Sequence, residues 1–165
     1  MADYTAVPEF TLSEPRVGTM QGFRHFYVPG RASMRDIAQV AGDLIDRVSA
    51  AYAGADTAVN GPVNLILSYS MPDESGEFDI AAGFSVAPGV EPAGEAQVED
   101  VAGYRCASLV LSGRLVNLKE AHEALTKFVQ EQGLQFGPAF REWYLYWEDD
   151  SSPNNVILIT YELAE

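Results

Sequence analysis

The chain has 165 residues, the size of one ordinary domain, and it is long enough to bury a core without a metal or a disulfide. Apolar residues make up 47% and charged residues 21% of it, a balance that excludes disordered, collagen-like and low-complexity chains. With 10 Lys and Arg against 24 Asp and Glu, the net charge is −14, so the surface repels phosphate backbones and anionic membranes. We therefore expect no direct nucleic-acid or membrane partner, whereas hydrophobic or cationic small molecules and basic proteins are favoured.

The N-terminus and the cysteine content indicate the compartment. The first ten residues contain neither the basic region nor the apolar region of an export signal. Cys106 is the single cysteine and cannot form an internal disulfide. The longest apolar runs are too short to span a bilayer. We therefore expect a cytoplasmic protein.

The first half of the chain predicts a strand, a helix and two further strands. Residues 16–28 are rich in β-forming types, and residues 63–70 and 78–86 alternate as strands do. Between them lies a helical period, with Ser33 as its predicted N-cap and Gly54 as its predicted end. The apolar face of this helix consists of Ile37, Val40, Ala41, Leu44, Ile45 and Val48.

The second half repeats that order after a linker at residues 88–100, which is rich in proline, glycine and acids. Residues 104–112 predict a strand, and residues 140–147 and 156–163 predict the last two strands. The apolar face of the helix between them consists of Ala121, Ala124, Leu125, Phe128 and Val129.

A sequence repeat supports this duplication. Fifteen residues from Gly61-Pro62 align with fifteen from Gly137-Pro138 at a shift of 76, with four identities. The helices align at a shift of 84, so the first half has eight extra residues, which we assign to a loop at 53–60. We predict one duplicated α+β domain, with repeats at about 10–87 and 101–165. Its two strand-helix-strand-strand units would be related by a pseudo-twofold, with antiparallel sheets, helices on one face and a groove between the halves.

Alternation along the strands assigns side chains to the two faces of the sheet. In the first half it places Leu65, Leu67 and Tyr69 under the helix, and Ile66 and Ser68 on the opposite face.

Carried across the repeat, the alternation places Trp143 under the helix and Glu142, Tyr144 and Tyr146 on the face of the first half's polar residues. That face combines aromatic rings, hydroxyls and a carboxylate, so it would line a groove between facing halves. Gly83 in a neighbouring strand leaves further room there. Packing of the aromatic residues alone is the alternative reading.

Glu142 is the sharpest chemical signal, because glutamate is depleted in the middle of strands. A carboxylate withdrawn from water favours a cationic ligand, and tyrosine rings add cation–π attraction. The same carboxylate could act on an electrophilic ligand by general acid–base catalysis. An exposed residue on an edge strand, or a partner for a nearby arginine, remains open as a structural role.

Other chemistry has little support in the sequence. His122 lies off the apolar face of its helix, so we expect it in solvent. Cys106 and His25 could form a nucleophile pair, although an inert buried cysteine is the more common case. The acids at 148–150 occupy a turn, where solvated charge is usual. Zinc spacings, phosphate loops and serine-hydrolase motifs are missing, so we predict no metal and no other cofactor.

The segment from Phe140 to Asp150, preceded by a helix and Gly-Pro, resembles the GyrI-like domain family, and so does the segment from Ala81 to Val86. This family also supplies the effector-binding domains of BmrR-type and Rob-type transcription regulators. The resemblance implies a ligand groove between two repeats, with the acid of a Glu-x-Tyr pattern inside it. It also implies a stand-alone member, because the duplicated unit occupies the chain and leaves no room for a DNA-binding helix-turn-helix. Many members have an acid in the final strand, but residues 156–160 have none.

Three functions follow as expectations. The first is a cytosolic binder that sequesters or senses amphipathic, often cationic aromatic compounds. The second, also implied by the resemblance, is a hydrolase of electrophilic, cyclopropane-bearing ligands, with Glu142 as its catalytic residue. The third is an acidic interaction module that docks on a basic protein and modulates gyrase. The predicted ligand-binding residues are Ile66, Ser68, Glu142, Trp143, Tyr144 and Tyr146.

Overall fold

A computed structural model of the protein describes residues 10–55 and 64–165, which form nine strands and two α-helices. Residues 1–9, most of the predicted loop at 53–60 and the first Gly-Pro pair lie outside the described residues. The elements of the first half are β1 (Thr11–Leu12), β2 (Arg16–Met20), β3 (Phe23–Ser33), α1 (Ile37–Ala53), β4 (Leu65–Ser70) and β5 (Glu77–Val86). Those that follow are β6 (Gln97–Val101), β7 (Tyr104–Ser112), a 3-10 turn (Leu115–Asn117), α2 (Leu118–Glu131), β8 (Phe136–Tyr146) and β9 (Val156–Leu163). Within the described residues, no helix is long and apolar enough to cross a membrane.

The described strands form one antiparallel sheet in the order β1-β7-β9-β8-β4-β5-β3-β6, with β2 also paired to β7. The order β7-β9-β8 mirrors β3-β5-β4, and the two halves meet where β4 pairs with β8. Each half therefore forms a strand-helix-strand-strand unit, and the predicted α+β class is confirmed. The exact boundaries of the repeats stay a prediction.

Both helices pack on the same face of the sheet, and each covers a core of its own. Leu44 and Val48 of α1 bury against β3, β4 and β5. Leu125 and Val129 of α2 bury against β7 and β9. Phe140 and Tyr144 of β8 contact both cores, so the two halves share one continuous apolar layer.

Three local predictions differ from the structure. Residues 16–28 form two strands, because the extended segment is interrupted between Met20 and Phe23. The first of these strands, β2, pairs with β7 in the second half. The N-cap of α1 is Asp36, whose carboxylate accepts a hydrogen bond from the Ser33 backbone amide at 2.7 Å. Part of the predicted linker forms β6, which pairs with β3.

The room expected beside Gly83 is filled. A Cβ atom at this position would lie 2.3 Å from the Phe26 carbonyl oxygen and 2.7 Å from Nε2 of His25. The missing side chain lets a buried histidine pack against the backbone, and it does not open a cavity.

Two glycine substitutions therefore change stability in opposite directions. Gly83→Ala should lower the free energy of unfolding by about 1–3 kcal/mol, because its methyl group overlaps backbone atoms that cannot move aside. Gly42→Ala, at an exposed position of α1 with nothing within 4 Å, should raise it by about 0.5–1 kcal/mol. Urea unfolding of both variants checks the pair, and a neutral Gly83→Ala would contradict this packing.

Candidate functional site

A groove of about 590 Å³ opens on the helix face of the sheet, between the start of α1 and the length of α2. Its volume is within the range of small-molecule pockets. The first half contributes Met34, Ile37, Tyr69, Ser70, Pro72 and Phe78 to its lining. The second half contributes Leu118, Lys119, His122, Glu123, Thr126, Lys127, Gln130, Phe140 and Glu142. The groove therefore lies at the seam between the two repeats.

Glu142 forms the polar centre of the groove floor, and only 5% of it is exposed. Its Oε1 atom accepts hydrogen bonds from the hydroxyls of Tyr69 and Tyr144, each at 2.9 Å. Its Oε2 atom lies 2.6 Å from Nε2 of His122. Three partners from β4, β8 and α2 therefore hold the carboxylate, which offsets the free-energy cost of burying it.

His122 extends this network away from the groove floor. Its Nδ1 atom lies 2.6 Å from the hydroxyl of Tyr161 on β9. That hydroxyl also accepts a 3.5 Å hydrogen bond from Thr126 and donates at 3.4 Å to the backbone carbonyl of His122. Both imidazole nitrogens are therefore engaged, and the ring is fixed between α2 and the sheet.

Burial keeps the tyrosine hydroxyls of this network protonated. Burial raises the pKa of Tyr69 and of Tyr144 well above the ordinary value, and the charge of Glu142 raises both further. Burial also raises the pKa of Tyr161 to about 12. These phenols thus remain hydrogen-bond donors at neutral pH.

Aromatic rings surround the carboxylate. Phe140 stacks on Tyr69 with ring centroids 4.8 Å apart, and its edge meets the His122 ring at 5.8 Å. Tyr69 also packs against Phe78 at 6.1 Å. The groove thus combines apolar ring surface with one buried carboxylate.

The strand register corrects the predicted faces. Leu67 pairs with Glu142, and Leu65 pairs with Tyr144, so these four side chains share the helix face. Trp143, predicted under the helix, pairs with Ile66 on the opposite face. The alignment at a shift of 76 matches Leu67 with Trp143, whereas in the sheet Leu67 pairs with Glu142. An offset of one residue along a strand exchanges its two faces, so the predicted faces of β8 are reversed.

The predicted site residues therefore separate into three groups. Glu142 and Tyr144 are joined by a hydrogen bond. Ile66, Ser68 and Trp143 lie on the helix-free face, away from the groove. Tyr146 follows a register shift in β8, is 52% exposed and donates a hydrogen bond to Glu148 at 2.8 Å. Whether any of the six binds a ligand stays a prediction.

The helix-free face holds a separate polar network. Arg141 bonds Glu162 at 3.1 Å and lies over the Tyr104 ring at 4.8 Å, so its carboxylate partner is not Glu142. Thr160 bonds the Tyr104 hydroxyl at 3.1 Å and accepts from the Trp143 indole at 3.3 Å. These contacts make the face a packed structural layer.

The proposed pairing of Cys106 with His25 does not form. The Nε2 atom of His25 has no hydrogen-bond partner, and its Nδ1 atom lies 3.5 Å from Glu99. Burial lowers the pKa of His25 to about 4, with a further contribution from the charge of Arg141. Burial raises the pKa of the Cys106 thiol, which disfavours the thiolate that nucleophilic attack requires.

Sequence reasoning missed His122, which was expected in solvent and instead lies against Glu142 with 23% of its side chain exposed. A signal was present at a spacing of four residues. A row of four residues at this spacing runs along α2 beside its buried stripe, and all four line the groove: Leu118, His122, Thr126 and Gln130. Phe140 was placed within a strand but was not recognised as a groove residue.

Comparisons with solved structures place this architecture among known folds. The C-terminal domain of EcmrR superimposes with a TM-score of 0.71 at 13% identity, covering 92% of this chain and 98% of that one. The EcmrR chain in a complex with DNA gives the same TM-score of 0.71 at 12% identity, covering 95% of this chain but only 58% of the EcmrR chain. This protein is thus similar in fold to one part of a longer protein.

Two further structures share the fold. SAV2435, solved bound to tetraphenylphosphonium, matches with a TM-score of 0.66 at 10% identity, covering 92% of this chain and 94% of that one. A hydrolase from Listeria innocua matches with a TM-score of 0.58 at 11% identity, covering 92% of each chain. The sequence itself matches no protein-family model and no curated protein. These likenesses support the GyrI-like resemblance at the level of the fold.

The tyrosines of the network should respond to the loss of the Glu142 charge. Because a carboxylate disfavours a nearby phenolate, Glu142→Gln should lower the pKa values of Tyr69 and Tyr144, while burial keeps both above the ordinary value. Alkaline titration of ¹³C-labelled tyrosine rings by NMR measures both. Tyr27, whose pKa is raised first by burial and then by Glu99, should titrate identically in the two proteins. Equal shifts at all three tyrosines would contradict a local effect.

Proposed function

We propose that this protein binds hydrophobic, aromatic cations in the groove at the seam of its two repeats, and that it sequesters or senses them. The observation that carries the proposal is Glu142, a carboxylate buried in the floor of a groove with aromatic walls. Membership of the GyrI-like family as a cytoplasmic binding protein is part of the same proposal.

The physical argument rests on the medium around the carboxylate. Charge attraction strengthens where water is excluded, and Glu142 is almost fully buried. Its lone pairs are largely taken by Tyr69, Tyr144 and His122, so a ligand need not donate a hydrogen bond. A ligand that brings diffuse positive charge and apolar surface fits this arrangement, because ring faces also attract cations.

The fold comparisons support the same ligand class. SAV2435 has this fold and was solved bound to tetraphenylphosphonium, a hydrophobic aromatic cation. At 10% identity the likeness carries the fold alone, so the chemistry of the groove has to support the ligand class.

Tetraphenylphosphonium binding tests the proposal. The wild-type protein should bind this cation with micromolar affinity, and Glu142→Gln should weaken binding about tenfold or more, because it removes the buried charge and keeps the shape. Isothermal titration calorimetry measures both affinities. Glu120→Gln removes an exposed carboxylate of α2 outside the groove lining and serves as the matched control. Equal affinities of the Glu142→Gln variant and the wild type would overturn the proposal.

A hydrolase is the second candidate, and the cluster of Glu142, His122 and Tyr144 favours it. In such a reaction Glu142 would take a proton from water as the water oxygen bonds to an electrophilic ring carbon. It would return that proton to the carbon released from the strained ring. A hydrolase from Listeria innocua shares the fold. Binding ranks first because hydrogen bonds already occupy most of the carboxylate, which leaves little of it free to accept a proton from water.

Product analysis separates the two candidates. If the protein is a binder, a panel of cyclopropane-bearing electrophiles incubated with it should be recovered intact, as judged by mass spectrometry. A product containing one added water, formed by the wild type and not by Glu142→Gln, would establish the hydrolase instead. Glu120→Gln again provides the control, since it should behave as the wild type does.

A further inference from the structure

The contact between Glu142 and His122 has a consequence for the ligand that the groove can hold. His122 lies on α2 at the groove wall, with the Tyr161 ring stacked on it at 5.7 Å and the edge of Phe140 against it at 5.8 Å. Both nitrogens have partners at 2.6 Å. The ring is therefore held in one orientation, with Nε2 towards the carboxylate.

This orientation accommodates two protonation states without rearrangement. A neutral imidazole can donate from Nε2 to Glu142 and accept at Nδ1 from the Tyr161 hydroxyl. A protonated imidazole can donate from both nitrogens, and the Tyr161 hydroxyl then accepts from Nδ1 and donates to the His122 carbonyl at 3.4 Å. The two states keep the same partners at both ring nitrogens, reverse the direction of the hydrogen bond between Nδ1 and the Tyr161 hydroxyl, and differ by one unit of charge next to the carboxylate.

The other charged groups around this pair do not mask that difference. From the sheet, the titratable side chains that face it are Tyr69, Tyr144 and Tyr161, which stay neutral in the physiological range. From α2, the charged groups that line the groove are Lys119, Glu123 and Lys127. All three are exposed, and Lys119 lies 3.8 Å from Glu123. The lining residues that precede and open α1 are Met34 and Ile37, which carry no charge.

We propose that His122 is the specificity-determining residue of the groove: with His122 neutral, the Glu142–His122 pair keeps a net negative charge that selects cations, and protonated His122 cancels that charge. This inference rests on the proposed function. A bound cation and a proton on His122 compete for the same carboxylate, so cation binding is coupled to release of a proton. A neutral ligand of the same shape has no such competition.

Calorimetry in buffers of different ionisation enthalpy tests the linkage. For the wild type, affinity for tetraphenylphosphonium should fall about tenfold or more from pH 8 to pH 5, with up to one proton released per cation bound. Binding of neutral triphenylphosphine oxide should change less than about twofold. His122→Gln keeps a donor towards Glu142 but cannot be protonated, so it should bind the cation with little pH dependence. Pronounced pH dependence that persists in His122→Gln would overturn the inference.

His25, the only other histidine, provides the matched control on the opposite face. With a pKa of about 4 it stays neutral over the tested range, so His25→Gln should release as many protons as the wild type. Loss of proton release in a folded His25→Gln protein would show that the released proton comes from His25 and not from His122, which would overturn the inference.

A measurement without ligand keeps this inference separate from the proposed function. ¹⁵N NMR of the unliganded protein at pH 9 should show the neutral His122 ring protonated at Nε2, the nitrogen that faces Glu142. A ring protonated at Nδ1 would overturn the inference whether or not any ligand binds. If neither probe binds at any pH, the proposed function fails. The NMR measurement still shows which nitrogen of His122 carries the proton beside Glu142.

Discussion

The antiparallel pairing of β4 with β8 is the interaction on which the rest of the structure depends. It joins two small units, each with one helix, into a continuous sheet, so that neither unit has to bury its apolar layer alone. The register, with Leu67 opposite Glu142, also decides which side chains lie under the helices. A shift by one residue would bury Trp143 at the seam and turn the carboxylate to the helix-free face.

A buried carboxylate is costly, and the fold meets this cost with donors from three elements. Tyr69 comes from the first repeat, while Tyr144 and His122 come from the second. Removing a donor would leave part of a buried charge unsatisfied, which commonly costs more than a hydrogen bond contributes. The same donors occupy the carboxylate of Glu142 at the floor of a groove with aromatic walls, the arrangement that favours binding of a cation over chemistry at the carboxylate.

The fold and the site carry different kinds of information about function. EcmrR, SAV2435 and a Listeria innocua hydrolase share the architecture of this protein, although each is only 10–13% identical to it in sequence. A protein in complex with DNA, a cation-bound protein and a hydrolase thus share one scaffold, so the scaffold alone does not distinguish these roles. The choice depends on the groove, where the buried carboxylate of Glu142 and the imidazole of His122 set the charge that a ligand meets at the floor.

The sequence alone determined the strand-helix-strand-strand order of each half, because helical and strand periods are local properties of the chain. The strands at 104–112 and 156–163 and the apolar stripe of α2 could be read directly. Glu142 and Tyr144 were also found, since a glutamate within a strand is unusual. The tertiary structure alone decided the face on which they lie, because register depends on pairing between distant strands. It also decided the role of His122, whose spacing along α2 says nothing about the strand that its helix packs against.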